Sequence, residues 1–192
     1  MRLVSSRYFV WAVLFGPLLY VCWQYLNESL FYGEFIHVTG ELSARLLIVT
    51  LAVTPLRNLV PKQRWTAWLV RQRRYIGLAT FAYAVPHLLA YLVRLRDVER
   101  IVAEGIEIEM LTGWIALLIF LLLALTSNNV SVRRFGMRWK TLHRLVYFAA
   151  ILTFLHWVLT AFDPLAGYVH AGVLILILAL RFVPGSRTSQ AP

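Results

Sequence analysis

Residues Arg71 to Leu95 read RQRRYIGLATFAYAVPHLLAYLVRL: three arginines in four residues, then an apolar run whose only full charge is Arg94 near its end. A run of this length bounded by cations has the size of a membrane-spanning helix, which needs about 20 mostly apolar residues. One imidazole, His87, sits inside it. Five further stretches have the same character. The pattern predicts spans near Tyr8 to Leu26, Leu42 to Val60, Tyr75 to Leu95, Met110 to Ser127, Thr141 to Ala161 and Leu165 to Val183. The expected fold is all-α, a polytopic membrane helix bundle of six transmembrane helices.

Composition agrees. Of 192 residues, 60% are apolar, and the mean hydropathy is +0.68, against roughly 45 to 50% apolar usage in soluble domains. Six spans take up about 120 residues, which leaves short loops and no second, soluble domain. Residues 1–184 therefore read as one transmembrane domain, and the polar stretch Gly185 to Pro192 as a disordered cytoplasmic tail. Met1 to Asn27 has the basic start of a signal peptide but no small-x-small cleavage site, so it reads as a retained first helix. No internal repeat stands out.

The net charge of +10 would suggest nucleic acid in a soluble protein, but here the cations lie in loops and follow the positive-inside rule. Fifteen of the 19 Lys and Arg fall on one side, from Arg2 and Arg7, through Arg57 to Arg74 and Arg133 to Arg144, to Arg181 and Arg187. The other side keeps Arg45, Arg94, Arg96 and Arg100 among the acidic residues. Both termini are expected to be cytoplasmic, and no nucleic-acid partner is expected. Six of the seven tryptophans, Trp11, Trp65, Trp68, Trp114, Trp139 and Trp157, fall mainly near span ends, where interfacial anchors sit.

Cys22, the single cysteine, excludes an intramolecular disulfide, a cysteine-ligated zinc site and an iron–sulfur cluster. The absence of C-x-x-C-H excludes covalently attached haem. There is no G-x-G-x-x-G, no P-loop and no nucleophile with its base. Reducing equivalents would have to come from another protein or a membrane quinol, so the chain looks like a conduit rather than a complete enzyme.

The histidines carry the remaining chemistry, because an ionisable group within the hydrocarbon needs a partner or a function. His87 lies roughly 20 Å from the cytoplasmic boundary at about 1.5 Å per residue, and His156, in ILTFLHWVL, lies about as deep. Two imidazoles meeting at one depth of a bundle, with no cysteine or carboxylate nearby, match axial ligation of haem iron. The plainer alternative is that each bonds a backbone carbonyl or hydroxyl on a neighbouring helix. His143 begins the same helix as His156 but stands about 140° round from it on an ideal helix of ~100° per residue. It is either a second ligand or an interfacial residue. His37, expected in an outer loop before a helix N-cap, and His170, near the outer end of the last helix, read as interfacial or packed. Pro86 beside His87 removes a backbone hydrogen bond and offers a kink that makes room for a macrocycle.

Three stretches, His37 to Arg57 (HVTGELSARLLIVTLAVTPLR), Arg71 to Tyr91 (RQRRYIGLATFAYAVPHLLAY) and Trp139 to Trp157 (WKTLHRLVYFAAILTFLHW), resemble the MsrQ family. These are the haem-binding membrane subunits of bacterial MsrPQ protein-methionine-sulfoxide reductases, within the ferric-reductase-like transmembrane superfamily. The resemblance covers most of the chain. It implies a bacterial inner-membrane, multi-pass protein with b-type haem bound by His87, His143 and His156. It also implies electrons drawn from a cytoplasmic flavin, flavin reductase or quinol and passed to a periplasmic molybdopterin subunit, MsrP, that repairs oxidised envelope proteins. FMN is associated with the family, and no residue here places it. The wider superfamily stacks two haems, but the position opposite His143 holds Arg73 or Arg74 here. One outer haem on His87 and His156 is therefore expected, with the inner haem left open. Two other readings stand beside this one: a stand-alone ferric reductase or quinol-oxidising cytochrome b, and a non-redox small transporter or assembly factor.

Overall fold

The computed structural model describes residues 7–182. Arg2, Arg187, the tail Gly185 to Pro192 and the termini whose side the charge pattern predicts lie outside the described residues. Among the described residues nine α-helices follow in order: α1 (Arg7–Leu26), α2 (Tyr32–Leu59), α3 (Arg64–Leu95), α4 (Val98–Gly105), α5 (Ile108–Leu125), α6 (Asn129–Phe135), α7 (Met137–His143), α8 (Leu145–Thr160) and α9 (Leu165–Ala179). A 3-10 turn, Leu180–Phe182, closes the series. Six of the resulting segments are long and apolar enough to cross a membrane, with α7 and α8 forming one of them. The end of the bundle bearing α4 is termed outer, and the end bearing α6 and α7 inner.

Two helices start well before the spans read from sequence. α2 begins at Tyr32 rather than Leu42, and α3 at Arg64 rather than Tyr75. Their 28 and 32 residues make rods of about 42 and 48 Å at 1.5 Å per residue, longer than a hydrocarbon core of about 30 Å. Hydropathy locates the part in lipid, and the helices continue into the polar boundary. His37, expected in a loop, is therefore inside α2. Pro86 lies within α3, which runs on to Leu95.

The bundle is built from two helix pairs, α2 on α3 and α5 on α8, joined through α2 and α3; α1 and α9 pack on the outside. Small residues allow the close approach that association in lipid relies on. Ala44, Ala79, Ala149 and Ala150 are fully buried, and Leu47, Leu51, Phe120, Phe154 and Leu174 fill the space between α2, α5, α8 and α9. Large apolar side chains such as Leu19, Trp23, Ile151 and Ile175 point outward, which costs nothing against lipid. Buried hydroxyls find backbone acceptors, as nothing else in hydrocarbon would satisfy them. Ser43 donates to the Thr80 carbonyl at 2.9 Å, tying α2 to α3, and the Tyr83 hydroxyl donates to the Leu14 carbonyl at 3.0 Å, tying α3 to α1.

The inner connection between α5 and α8 folds into two short helices. The Asn128 side chain caps α6 by accepting from the Ser131 N–H at 2.8 Å. The chain then reverses at Gly136, whose φ of +51° suits a residue without a Cβ.

Candidate functional site

A cavity of about 550 Å³ opens among α2, α3, α5 and α8 at the outer half of the bundle, and His87 and His156 line it from opposite helices. This volume is within the range of cofactor pockets. The two imidazole rings have centroids 6.4 Å apart and stand nearly perpendicular, at 81°. An imidazole nitrogen bonds a transition metal at about 2 Å, and the sides of the ring put that nitrogen about 1.1 Å from its centre. Imidazoles on opposite sides of one metal ion therefore have centroids roughly 6 Å apart, close to the observed separation.

Both rings are oriented from behind. His87 Nδ1 lies 2.9 Å from the Ile36 carbonyl on α2, and His156 Nδ1 lies 2.6 Å from the Glu109 carbonyl on α5. A carbonyl only accepts, so Nδ1 carries the proton in each case and Nε2 keeps its lone pair. This is the arrangement in which a metal-ligating histidine is held, with the outer hydrogen bond fixing tautomer and ring orientation. The sequence offered carbonyl bonding and ligation as alternatives, yet in the structure the first engages Nδ1 and leaves Nε2 available.

A glycine makes room for each ring. A Cβ on Gly40 would come within 3.1 Å of His87, and one on Gly113 within 2.8 Å of His156 Nδ1. Each glycine stands four residues after the carbonyl that holds the ring, with a buried threonine immediately before it. Thr39 donates to the Ile36 carbonyl at 3.2 Å and Thr112 to the Glu109 carbonyl at 2.8 Å. The two helix pairs thus carry the same device, a carbonyl, a threonine three residues on, a glycine four residues on, and a histidine from the partner helix. The repeat escapes a linear reading because it comprises so few positions, one of them a backbone atom. Pro86 lies within α3 beside His87, and Gly40 and Gly113 make the room for the two rings themselves.

Trp114 and Trp157, read from sequence as interfacial anchors, line the cavity together with Tyr91 and Phe120. At the outer rim, His37 stands 3.7 Å from Glu41, and Glu41 also pairs with Arg45. Arg45 donates to His170 Nε2 at 3.3 Å. His170 bonds the Ala166 carbonyl at 2.7 Å and packs against Trp157 with ring centres 5.0 Å apart and planes tilted by 36°. The Tyr91 hydroxyl donates to Glu104 on α4 at 3.1 Å.

His143 lies apart from this cavity, at the inner end of the bundle. Its Nε2 is 3.1 Å from the Thr126 hydroxyl, and Trp139 stacks on its ring at 3.9 Å. The Thr126 hydroxyl also lies 2.8 Å from the Leu122 carbonyl, so its single proton serves either that carbonyl or the imidazole. Both His143 and His156 nonetheless face α5. The i to i−3 bonds either side of Arg144, from Arg144 N–H to Thr141 and from Tyr147 N–H to Arg144, overwind the chain there and add to the rotation an ideal helix lacks. Across the bundle, Arg73 donates to the Thr54 hydroxyl at 3.2 Å and Arg74 to the Asn129 side chain at 2.8 Å.

Fold and site together define a multi-pass membrane helix bundle with a bis-histidine cavity between its two central helix pairs. The family model described as "Ferric reductase like transmembrane component" matches residues 39–154. Among curated relatives, the protein-methionine-sulfoxide reductase heme-binding subunit MsrQ of Brucella anthropi is 35% identical over 82% of this chain and 71% of its own length. The protein of the same name from Xanthomonas campestris pv. campestris is 36% identical over 93% of this chain and 86% of its own. The chain belongs to the MsrQ family of ferric-reductase-like transmembrane proteins.

Proposed function

We propose that this protein is the haem-binding, electron-transferring membrane subunit of a protein-methionine-sulfoxide reductase. The observation that carries the reading is the facing pair His87 and His156, 6.4 Å between ring centres, each with Nδ1 bonded to a carbonyl and Nε2 turned toward the cavity. Bound there, b-type haem supplies a one-electron ferric–ferrous couple. His87 and His156 hold the iron through Nε2, and the Ile36 and Glu109 carbonyls keep both imidazoles in the ligating tautomer. Trp114, Trp157 and Phe120 exclude water from the macrocycle. His143 lies outside this cavity, with its Nε2 beside the Thr126 hydroxyl; a second, inner haem on His143 requires that contact to open and a partner ligand other than Arg73.

The relatives' names support the methionine-sulfoxide reductase assignment. In this reading the chain is a multi-pass protein of the bacterial inner membrane with cytoplasmic termini. It takes electrons from a cytoplasmic flavin or flavin reductase, or from quinol, and passes them to a periplasmic molybdopterin subunit, MsrP. FMN belongs to the reading as a further cofactor, with no residue assigned to it. The outer segments Asn27 to Glu41, Arg96 to Glu109 and Phe162 to Tyr168 are the docking surface for the acceptor. The test is the dithionite-reduced minus oxidised spectrum of the detergent-purified protein, with haem quantified per chain. A b-type signal in the wild type that is lost in both H87A and H156A supports the reading, and a wild type without haem after expression in haem-replete cells overturns it.

A further inference from the structure

We infer that Thr112, and more weakly Thr39, are positioning residues that set the reduction potential of the metal held between His87 and His156, through the carbonyls they share with the two ligands. The inference rests on the haem reading above. A carbonyl oxygen has two lone pairs, but three donors converge on the Glu109 oxygen. They are the His156 Nδ1–H at 2.6 Å, the Thr112 hydroxyl at 2.8 Å, and the helical N–H of Gly113 four residues on. On α2 the Ile36 oxygen meets the same three, with His87 Nδ1 at 2.9 Å, the Thr39 hydroxyl at 3.2 Å and the N–H of Gly40.

Donors to one oxygen compete. The hydroxyl draws on the electron density that would otherwise pull on Nδ1–H, so it weakens the hold on the imidazole proton and lowers the basicity of Nε2. A less basic ligand stabilises ferric iron less. Removing the hydroxyl strengthens the remaining Nδ1–H bond, raises ligand basicity and favours the ferric form, so the potential falls. The two sites differ in degree. Thr39 directs its single proton mainly at the Phe35 carbonyl, 2.7 Å away, whereas the Thr112 hydroxyl bonds the Glu109 carbonyl alone among the described residues. The plainer role of a helical threonine, satisfying its own hydroxyl on the preceding turn, predicts no change in potential when the hydroxyl is removed.

The experiment is a spectroscopically monitored potentiometric titration of wild type, T112V, T112S and T39V, each purified with its haem and with haem per chain measured. The expected result is a lower midpoint for T112V, a smaller fall for T39V, and a wild-type midpoint for T112S, which restores the hydroxyl. A wild-type midpoint in T112V at full haem content overturns the inference, as does a T112S shift equal to that of T112V. Should T112V fail to hold haem, T112A removes the same hydroxyl with less bulk and carries the same expectation. A wild type without haem overturns both this inference and the reading it rests on, whereas a haem-loaded wild type with an unshifted T112V overturns this inference alone.

Discussion

The outer and inner levels of this bundle are built on the same plan and end in different chemistry. At each level, threonines on α2 and on α5 or at its C-terminal cap face a polar side chain from α3 and from the span formed by α7 and α8. At the outer level these are Thr39 and Thr112, whose hydroxyls bond carbonyls of their own helices, while the two histidines bond the Ile36 and Glu109 carbonyls through Nδ1 and keep Nε2 free across a cavity. At the inner level they are Thr54 and Thr126, whose hydroxyls take the polar side chain directly, Arg73 on one side and His143 Nε2 on the other. The neighbouring helix engages Nδ1 at the outer level and Nε2 at the inner level, and a guanidinium does not readily give up its proton. A histidine's place within a helix is thus a weaker guide to ligation than which of its two nitrogens the neighbouring helix engages.

The comparison breaks most visibly at the histidines themselves. H87A and H156A are each expected to lose essentially all b-type signal, while H143A keeps the wild-type haem content per chain, by absorbance of the purified protein. Loss of haem in H143A to the same degree would make the inner level a ligand site after all. G113A comes next. Its Cβ would stand 2.8 Å from His156 Nδ1, closer than packing tolerates, and overpacking of this kind costs about 1 to 3 kcal/mol, or roughly a 5- to 150-fold loss of haem affinity if the whole cost falls on the bound state. G40A, at 3.1 Å from His87, is expected to lose less. Retention of ordered membrane protein by size-exclusion chromatography separates lost ligation from lost folding. The smallest effect is expected at the outer rim, where neutralising Glu34, Glu99 and Glu107 together should slow electron delivery to the acceptor subunit several-fold at unchanged haem content. Haem loss in that variant contradicts a docking role for the outer segments.

Much of this was legible in the sequence. Six apolar runs gave the bundle, and counting residues from the cationic boundaries put His87 and His156 at one depth, where the structure brings them together. The spans legible from hydropathy begin later than α2 and α3 because Glu34, His37 and Glu41 on one helix, and Arg71, Arg73 and Arg74 on the other, look like loop residues to a hydropathy window. Both helices carry those residues past the hydrocarbon boundary, where polar side chains cost nothing. The device behind the histidines was hidden for a different reason. Thr39–Gly40 and Thr112–Gly113 are ordinary dipeptides, and their partners are the backbone oxygens of Ile36 and Glu109, whose side-chain identities reveal nothing about the contact. Trp114 and Trp157 were assigned to the interface because they lie near span ends, but a span end beside a cavity also lines it.

The most direct test of the account is electron paramagnetic resonance of the oxidised, purified protein at low temperature. Two neutral imidazoles on one ferric iron with nearly perpendicular planes, as His87 and His156 stand at 81°, predict a low-spin signal of the strongly anisotropic kind, absent from H87A and H156A and unchanged in H143A. A high-spin signal from the wild type, or a low-spin signal that survives the loss of either His87 or His156, would contradict a single haem held between them.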